Sequence, residues 1–285
     1  MKNLLGTIRF LARHPLVKGE EVSLLYRYLA WQIKTRIHDE IEVPWILGLR
    51  MIVGSKNKGF NGNIYAGLME YNEMGFLLHL LGSEDLFIDI GAHIGSYTML
   101  ASGVCGARTL SFEGADETAA LLRRNVTLNN LDHLVEVREV AVLDATGEVE
   151  FRRGHDVWNR IKFRRDDDVR WVPMVKLDDV AGQSHAIMLK IDTNGTSDRV
   201  LAGAHLVLSD SALLAVRCED QFSEAPVAIL AKYEFKRAAY DPASRTLTAV
   251  EPADTRYYPL FVRDFDAVRT RVRSAPRRQI MGHWV

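Results

Sequence analysis

The sequence predicts an α/β protein whose mostly parallel sheet is covered by helices on both faces. From Tyr71 onward, short aliphatic runs alternate with amphipathic stretches, which is the pattern of strand–helix–strand units. One of these runs, "LFIDIGAHIGSYTML", ends in an acid and breaks at once into a turn with two glycines. Because such sheets bind ligands beyond the carboxyl ends of their strands, this turn predicts a binding site.

The predicted elements follow one another in regular order. Residues 1–60 form an N-terminal helical extension, in which residues 21–37 make a helix with Val22, Leu25, Leu29 and Ile33 at helical spacing. Residues 61–285 form one domain. Its predicted strands are 86–90, 109–113, 135–140, 186–191 and 213–217, and its predicted helices cover 73–81, 116–129 and the stretches after Gly95 and from Ser197.

Composition excludes several classes of function. Lys and Arg number 36 against 37 Asp and Glu, so no global field attracts the protein to nucleic acid. The two cysteines suggest neither a disulfide framework nor a metal site, which favours a reducing, cytoplasmic location. No apolar run reaches the roughly 20 residues of a membrane span. The N-terminal helix is expected to be a lid or packing element, and a homodimer stays possible.

The glycine turn favours a ligand with both polar and cationic groups. Gly91 and Gly95 permit a sharp turn and a close approach of the backbone. The helix from Ser96 presents free N–H groups to that point. Asp89 would repel a pyrophosphate but attract an ammonium or accept hydrogen bonds from hydroxyls.

A second acid, Glu113, stands at the end of the next predicted strand. An acid about 20 residues beyond such a turn commonly accepts hydrogen bonds from the hydroxyls of a ribose. Together with Asp89 it indicates an adenosine-like ligand that carries an amino acid, and S-adenosylmethionine meets these demands. The glycine spacing differs from G-x-G-x-x-G, so a nucleotide-dependent oxidoreductase is a remote alternative.

Five motifs in order resemble the FkbM-type methyltransferases. They are "FIDIGAHIGSYT", "SFEGADETAALLRRNVTLNNL", "VEVREVAVLDATGEVEF", "VPMVKLDDV" and "IMLKIDTNGTSDRVLAGA", and the upstream "GNIYAGLMEYNEMGFLLHLL" is similar to the segment before the donor motif. The resemblance covers about residues 62–204. It implies a class I, Rossmann-like fold with a seven-stranded sheet, S-adenosylmethionine as cofactor and usually O-methylation of a sugar or polyketide hydroxyl. A small-molecule or glycan acceptor is therefore the expected partner.

The resemblance also implies the residues of the donor site. Asp89, Gly91 and Gly95 would line the amino-acid end, Glu113 would hold the ribose, and Ala141 would lie by the adenine. Tyr65 and Glu73 would contact the donor or else form an exposed helix face. The full implied set is Tyr65, Glu73, Asp89, Gly91, Ala92, His93, Gly95, Ser96, Glu113, Gly114, Ala141 and Asp192.

Two departures from the family pattern concern turnover. Glu113-Gly114 stands where Glu-Pro is usual, which keeps the carboxylate. Asp192-Thr193-Asn194-Gly195 stands where Asp-Val-Glu-Gly is usual, so Asn194 replaces an acid near the expected reaction centre. Either the acceptor differs from the family norm, or the protein binds the donor with reduced or no turnover.

Two residues are candidates for the proton transfer that methylation of a hydroxyl requires. Asp192 would act as the base or orient the acceptor, with a helix cap as the alternative. His93 is the second candidate, and packing or a backbone hydrogen bond is its alternative.

The stretch "FRRGHDVWNRIKFRRDDDVRW", residues 151–171, is a charged insertion. Trp158, Arg160 and Arg164, with Asn194, are candidate acceptor-binding residues, because aromatic rings and guanidinium groups suit a sugar or an acidic sugar. A solvated hairpin is the alternative. Its three consecutive aspartates do not predict a metal site, since they would point to alternate faces of an extended chain.

Overall fold

The computed structural model describes residues 11, 13–55, 57–152, 169–219, 224–251, 254 and 259–285. The helices are α1 (Glu21–Ile37), α2 (Asn61–Ala66), α3 (Tyr71–Leu80), α4 (Ser96–Met99), α5 (Asp116–Leu128), α6 (Leu177–Ala181), α7 (Ser197–Ala202), α8 (His205–Ser209), α9 (Glu224–Lys232) and α10 (Phe265–Ser274). The strands are β1 (Glu40–Pro44), β2 (Arg50–Gly54), β3 (Leu86–Ile90), β4 (Arg108–Phe112), β5 (Val135–Arg138), β6 (Ala141–Leu143), β7 (Gly147–Arg152), β8 (Val169–Lys176), β9 (Met188–Ile191), β10 (Ala215–Cys218), β11 (Lys236–Asp241), β12 (Thr246–Ala249), β13 (Leu260–Val262), β14 (Gln279–Ile280) and β15 (His283–Trp284). Lys58–Phe60 forms a 3-10 turn, and Leu100–Val104 continues α4 as a π-helix.

The central sheet has eight strands in the order β12-β11-β13-β10-β9-β3-β4-β5. The five strands from β10 to β5 run parallel to their neighbours, whereas β13 runs antiparallel to both β10 and β11. The expected α/β class with a mostly parallel, Rossmann-like sheet is confirmed. The eighth strand is β12, which pairs with β11 as an antiparallel hairpin at the edge.

The chain winds outward in two directions from the middle of this sheet. It passes from β3 to β4 and β5 on one side, and from β9 to β10 on the other. The strand order therefore reverses between β3 and β9, and a crevice forms beyond their carboxyl ends. The predicted glycine turn follows β3 directly and lies at this point.

Alternating side chains of β3 fill two cores, one on each face of the sheet. Phe87 packs on the face shared with α3 and the N-terminal segment. Ile88 and Ile90 pack on the opposite face with Val200 and Leu208. This period of two places Asp89 on the same face as Phe87, fully buried beneath the sheet edge.

The N-terminal segment packs against the same core. The β1–β2 hairpin contributes Met51 and Val53, and the inner face of α1 contributes Leu24 and Trp31. The Asn125 side chain on α5 ties the hairpin in place, because it accepts from the Ile52 N–H at 2.6 Å and donates to the Ile94 carbonyl at 3.0 Å. The described helices include none with the length and apolar character that crossing a membrane requires.

A separate three-stranded sheet, in the order β6-β8-β7, follows β5. The predicted strand 135–140 was too long: the central-sheet strand ends at Arg138, and Ala141 begins β6. Strands β7 and β8 form an antiparallel pair in which Arg152 lies opposite Val169. The predicted charged insertion overlaps these strands, since residues 151–152 belong to β7 and residues 169–171 to β8. Its candidate residues Trp158, Arg160 and Arg164 fall outside the described residues.

Candidate functional site

A cleft of about 290 Å³ opens at the carboxyl ends of the central strands. This is near the lower end of the range for ligand pockets, about 300–1,000 Å³. Most of the predicted site residues line it, while Tyr65, Glu73, Asp89 and Gly95 do not. Those on its walls are Gly91, Ala92, His93, Ser96, Glu113, Gly114, Ala141, Asp192 and Asn194.

The turn after β3 brings two strand ends into direct contact. Gly91 has φ +71°, and a Cβ placed there would lie 2.0 Å from the carbonyl oxygen of Asp192. The N–H groups of Gly91 and Ala92 both donate to the carbonyl of Phe112, at 2.9 and 3.0 Å. The floor of the cleft is therefore bare backbone that only glycine permits at its first position.

Glu113 is fixed on the cleft wall by two backbone groups. Its Oε2 accepts from the N–H of His93 and its Oε1 from the N–H of Ala115, each at 2.9 Å. Burial raises the pKa of this carboxyl, and the two N–H donors oppose that rise. A held carboxylate retains further lone pairs, so it can accept hydrogen bonds from a ligand's hydroxyls.

Asp89 lies beneath the cleft rather than in it. Its Oδ2 accepts from the Thr98 hydroxyl at 2.8 Å, and its Oδ1 accepts from Nζ of Lys190 at 2.9 Å. Lys190 is itself buried, reaches the cleft wall and also donates to the Gly91 carbonyl at 3.0 Å. The acid predicted to meet the ligand thus acts on the cleft through a lysine.

Arg217, at the end of β10, joins two acids across the cleft. Its guanidinium is 2% exposed and donates to Oε1 of Glu70 at 2.8 Å and to Oδ2 of Asp192 at 3.1 Å. The Tyr97 hydroxyl donates to the other oxygen of Glu70. The Tyr97 ring lies 5.8 Å from the guanidinium carbon. The start of α3 is in this way held against the ends of β9 and β10.

Asp192 is ionised but weakly basic. Burial by itself would raise the pKa of this carboxyl, but the charges of Arg217 and Lys190 outweigh burial and hold the pKa well below its usual range. Its side chain also shares a hydrogen bond with Glu219.

Two predicted donor contacts lie away from the cleft. Tyr65 packs under α1, where its hydroxyl accepts from Gln32 at 3.3 Å and its ring lies 5.2 Å from that of Tyr28. Burial raises the pKa of Tyr65 to about 12. Glu73 is off the cleft wall, and burial with the nearby charge of Glu70 raises its pKa. Glu70, one turn earlier, is the acid that lines the cleft.

The sequence analysis did not predict four residues that form the site: Glu70, Lys190, Arg217 and Glu219. A signal was present for two of them, since "MLKI" and "AVRC" place a cation inside a buried strand. Buried cations require an acidic partner. The partners, Asp89 at 101 residues' distance and Glu70 at 147, are not readable from the sequence.

The charge on the cleft wall is predominantly negative. Among the described lining residues, four carry carboxyl groups, Glu70, Glu113, Asp192 and Glu219, whereas Lys190 is the one lysine or arginine. The described residues hold no cluster of His, Cys, Asp and Glu that could bind a metal ion. This arrangement suits a ligand with hydroxyl groups and positive charge.

No family model matches the chain, and no curated protein matches it. Matching solved structures include methyltransferase FkbM from Methylobacillus flagellatus KT, with 15% identity over 73% of this chain and 53% of that one and a TM-score of 0.45. An S-adenosylmethionine-dependent O-methyltransferase from Thermotoga maritima matches with 14% identity over 66% and 62% and a TM-score of 0.35. The Pyrococcus abyssi tRNA (uracil-54, C5)-methyltransferase in complex with S-adenosyl-L-homocysteine gives 12% identity over 70% and 39% and a TM-score of 0.40.

The chain spans about half the length of the FkbM structure. That protein carries the name of the family that the five sequence motifs resemble. At these identities the likeness concerns the fold alone.

Proposed function

We propose that this protein is an S-adenosylmethionine-dependent methyltransferase. The observation that carries the proposal is the reversed strand β13 between β10 and β11. Dinucleotide-binding sheets have the order 3-2-1-4-5-6 with the sixth strand next to the fifth. An inserted antiparallel strand at that position is typical of class I methyltransferase sheets, and it argues against the oxidoreductase alternative.

The residues of the cleft fit the methyl donor. Glu113, fixed by the N–H groups of His93 and Ala115, would accept from the two ribose hydroxyls. Ala141 and its neighbours Val140 and Val142 offer apolar surface for the adenine. The bare backbone at Gly91 admits the amino-acid end, and the acidic wall complements its ammonium and the sulfonium.

The bound donor supplies a methyl group on a sulfonium, which makes that carbon open to attack by an oxygen. The chain's own residues then have to align the acceptor hydroxyl and receive its proton. Asp192 would orient that hydroxyl by accepting its hydrogen bond, because Arg217 fixes the carboxylate in direction and in charge. Its low pKa makes it a poor final proton acceptor, so the proton passes on to water or to His93 on the same wall.

The acceptor we propose is a small molecule or glycan with a free sugar hydroxyl. Asn194, held at φ +54° on the cleft wall, supplies an amide that can donate to and accept from such a hydroxyl. The acidic wall disfavours a phosphate-rich acceptor such as nucleic acid. Trp158, Arg160 and Arg164 are proposed to add contacts to the acceptor.

A second candidate is a protein that binds the donor but turns over slowly or not at all. The observation in its favour is that the one acid on the loop after β9 is Asp192, whose pKa is low, since Asn194 occupies the other position. The two candidates share the donor site and differ in chemistry.

Calorimetric titration of the full chain with S-adenosylmethionine, S-adenosylhomocysteine and NAD⁺ tests the proposal. We expect the first two to bind and NAD⁺ not to bind. Glu113→Gln should weaken donor binding by about tenfold to a hundredfold, the loss of charge-assisted hydrogen bonds of roughly 1.5–3 kcal/mol. The exposed Glu117→Gln is the matched control and should bind normally.

Binding of NAD⁺ but not of the methyl donor would overturn the proposal. If the donor binds, a screen of hydroxylated acceptors with mass spectrometry of the products separates the two candidates. A methylated product identifies the enzyme, and tight binding without any product across the screen identifies the inactive donor-binding protein.

A further inference from the structure

The outer face of α1 is apolar and exposed. The exposed fractions are 85% for Val22, 40% for Leu25, 73% for Tyr26, 46% for Leu29, 57% for Ile33 and 69% for Ile37. With 3.6 residues per turn, these six side chains fall within a stripe about 120° wide along the whole helix. A stripe of this width normally faces a protein core.

The helix is held firmly by its other face, so the stripe is not exposed by loose packing. Leu24 and Trp31 are buried on the opposite side. Trp31 Nε1 donates to the side chain of Asn61 at 2.9 Å, and Arg27 Nε donates to the Tyr65 carbonyl at 3.0 Å. The apolar stripe is therefore fixed in position and points outward.

The charges along α1 favour a protein partner over an anionic membrane. Residues 20–40 carry three basic and four acidic side chains, whereas membrane-surface helices are rich in Lys and Arg on their polar face. The acid Glu21 lies in the first turn, and the bases Lys34 and Arg36 lie in the last. A second helix of the same sequence, laid antiparallel, would place opposite charges side by side at both ends.

The spacing of the stripe is self-complementary in that same arrangement. With Leu29 opposite Leu29 of a second copy, Leu25 lies opposite Ile33. Val22 lies opposite Arg36, one residue before Ile37, and Glu21 lies opposite Ile37. Residue pairs that exchange in this way are the property of an isologous, two-fold interface. The helix is about 25 Å long at 1.5 Å per residue, so the seam spans several side-chain layers.

We propose that α1 is the dimerisation helix of this protein, and that two copies pair antiparallel through this stripe with Leu29 at the two-fold axis. The second copy covers the six exposed apolar side chains, and the Glu21 end of each helix meets the Lys34 and Arg36 end of the other. The proposal does not depend on the proposed function, because the helix lies outside the cleft.

Cysteine cross-linking of the full chain tests the register. Cys105 and Cys218 are both buried, so a cysteine introduced on the surface dominates the reaction. Leu29→Cys should form a disulfide-linked dimer under mild oxidation, because residue 29 would meet its own copy. Leu206→Cys is the matched control, since Leu206 is 50% exposed on a different helix, and it should stay monomeric on a denaturing gel.

Analytical ultracentrifugation tests the association itself. The unmodified chain should sediment as a dimer at micromolar concentration, and Leu29→Glu should raise the dissociation constant at least a hundredfold while Leu206→Glu leaves it unchanged. A monomer at all concentrations, with no cross-linking through residue 29, would overturn the proposal. So would sedimentation with phosphatidylserine vesicles that Leu29→Glu abolishes, since the stripe would then bind a membrane.

Discussion

The ammonium of Lys190 lies 2.9 Å from Oδ1 of Asp89, and both side chains are shielded from solvent. The Thr98 hydroxyl donates to the second oxygen of Asp89, and Lys190 donates a further hydrogen bond to the Gly91 carbonyl. The pair thereby links the middle of β3 to β9 and supports the glycine turn from below. It is a structural ion pair whose upper end forms part of the cleft.

Asp89→Asn should therefore destabilise the protein more than it alters any direct ligand contact. Removing one partner of a buried pair leaves the other charge uncompensated, which costs about 3–5 kcal/mol. Urea unfolding measures this loss. Glu139→Gln, which breaks an exposed pair with Arg123 at 3.0 Å, is the control and should cost at most about 1 kcal/mol. Equal effects of the two changes would contradict the buried-pair assignment.

Gly91→Ala should abolish donor binding. The new Cβ would lie 2.0 Å from the Asp192 carbonyl oxygen, and φ is +71°, so β3 and β9 would have to separate at the cleft floor. Gly19→Ala has a similar φ of +85° with no atom within 4 Å of the added Cβ. It should show the backbone strain alone, about 1–3 kcal/mol in unfolding free energy. Normal titration of Gly91→Ala with S-adenosylhomocysteine would remove Gly91 from the site.

Asp192→Asn should reduce turnover by about 10²-fold, because the acceptor hydroxyl loses the carboxylate that orients it. Donor affinity should change little, because Arg217 keeps its second partner, Glu70. Steady-state rates and donor titrations in parallel measure both quantities. Turnover at the parental rate would show that Asp192 serves only to bind Arg217.

Asn194→Glu should raise turnover on a sugar acceptor or establish it where the parent has none. The change places a second carboxylate on the cleft wall, at the position where the resemblance implies an acid. The rate at saturating donor is the readout, and a further loss of turnover would contradict this role.

His79 should make stability depend on pH. Nδ1 of its buried ring shares a hydrogen bond of 2.6 Å with the Tyr240 hydroxyl. Burial, together with the positive charge of Arg245, lowers the pKa of His79 to about 4. The unfolded chain takes up this proton near pH 6.5. The contribution of neutral His79 is thus complete above pH 6.5 and is lost as the pH falls toward 4.

Unfolding free energies between pH 7 and 4.5 measure that contribution. His79→Gln should be destabilised most at pH 7 and should approach the parent as the pH falls. A constant difference between His79→Gln and the parent across this range would contradict the assignment.

The parallel core of the fold could be predicted because its strands are short and buried on both faces. The strand at residues 86–90 agrees with β3 at both ends, and 116–129 agrees with α5 to one residue. The β6-β8-β7 sheet was not foreseen, because Ala141–Leu143 continues the aliphatic pattern of β5 after a break of two residues. Hydrophobic pattern alone does not reveal that a strand changes sheets.

The site residues could be predicted where their position at a strand end places them in the cleft. They could not be predicted where the site depends on contacts between residues far apart in the sequence. Gly91 and Glu113 lie at strand ends that neighbour each other in the sheet, so both reach the cleft. Asp89 lies beneath the cleft and binds Lys190, which is 101 residues away in the sequence. The sequence pattern does not reveal this contact. Tyr65 lies next to the cleft residue Asn63 on α2 yet turns toward α1. The stripe of Val22, Leu25, Leu29 and Ile33 has helical spacing as expected, but the helix packs by its other side.

The pairing of β7 with β8 does not depend on the length of the chain that connects them. Because Arg152 and Val169 are paired, the polypeptide departs from this sheet and returns to it at a single point. Residues can be inserted or deleted at such a point, because the entropic cost of closing a loop grows slowly with its length. The joint is thus a natural graft site, where residues can be added or removed while β7 and β8 keep their pairing.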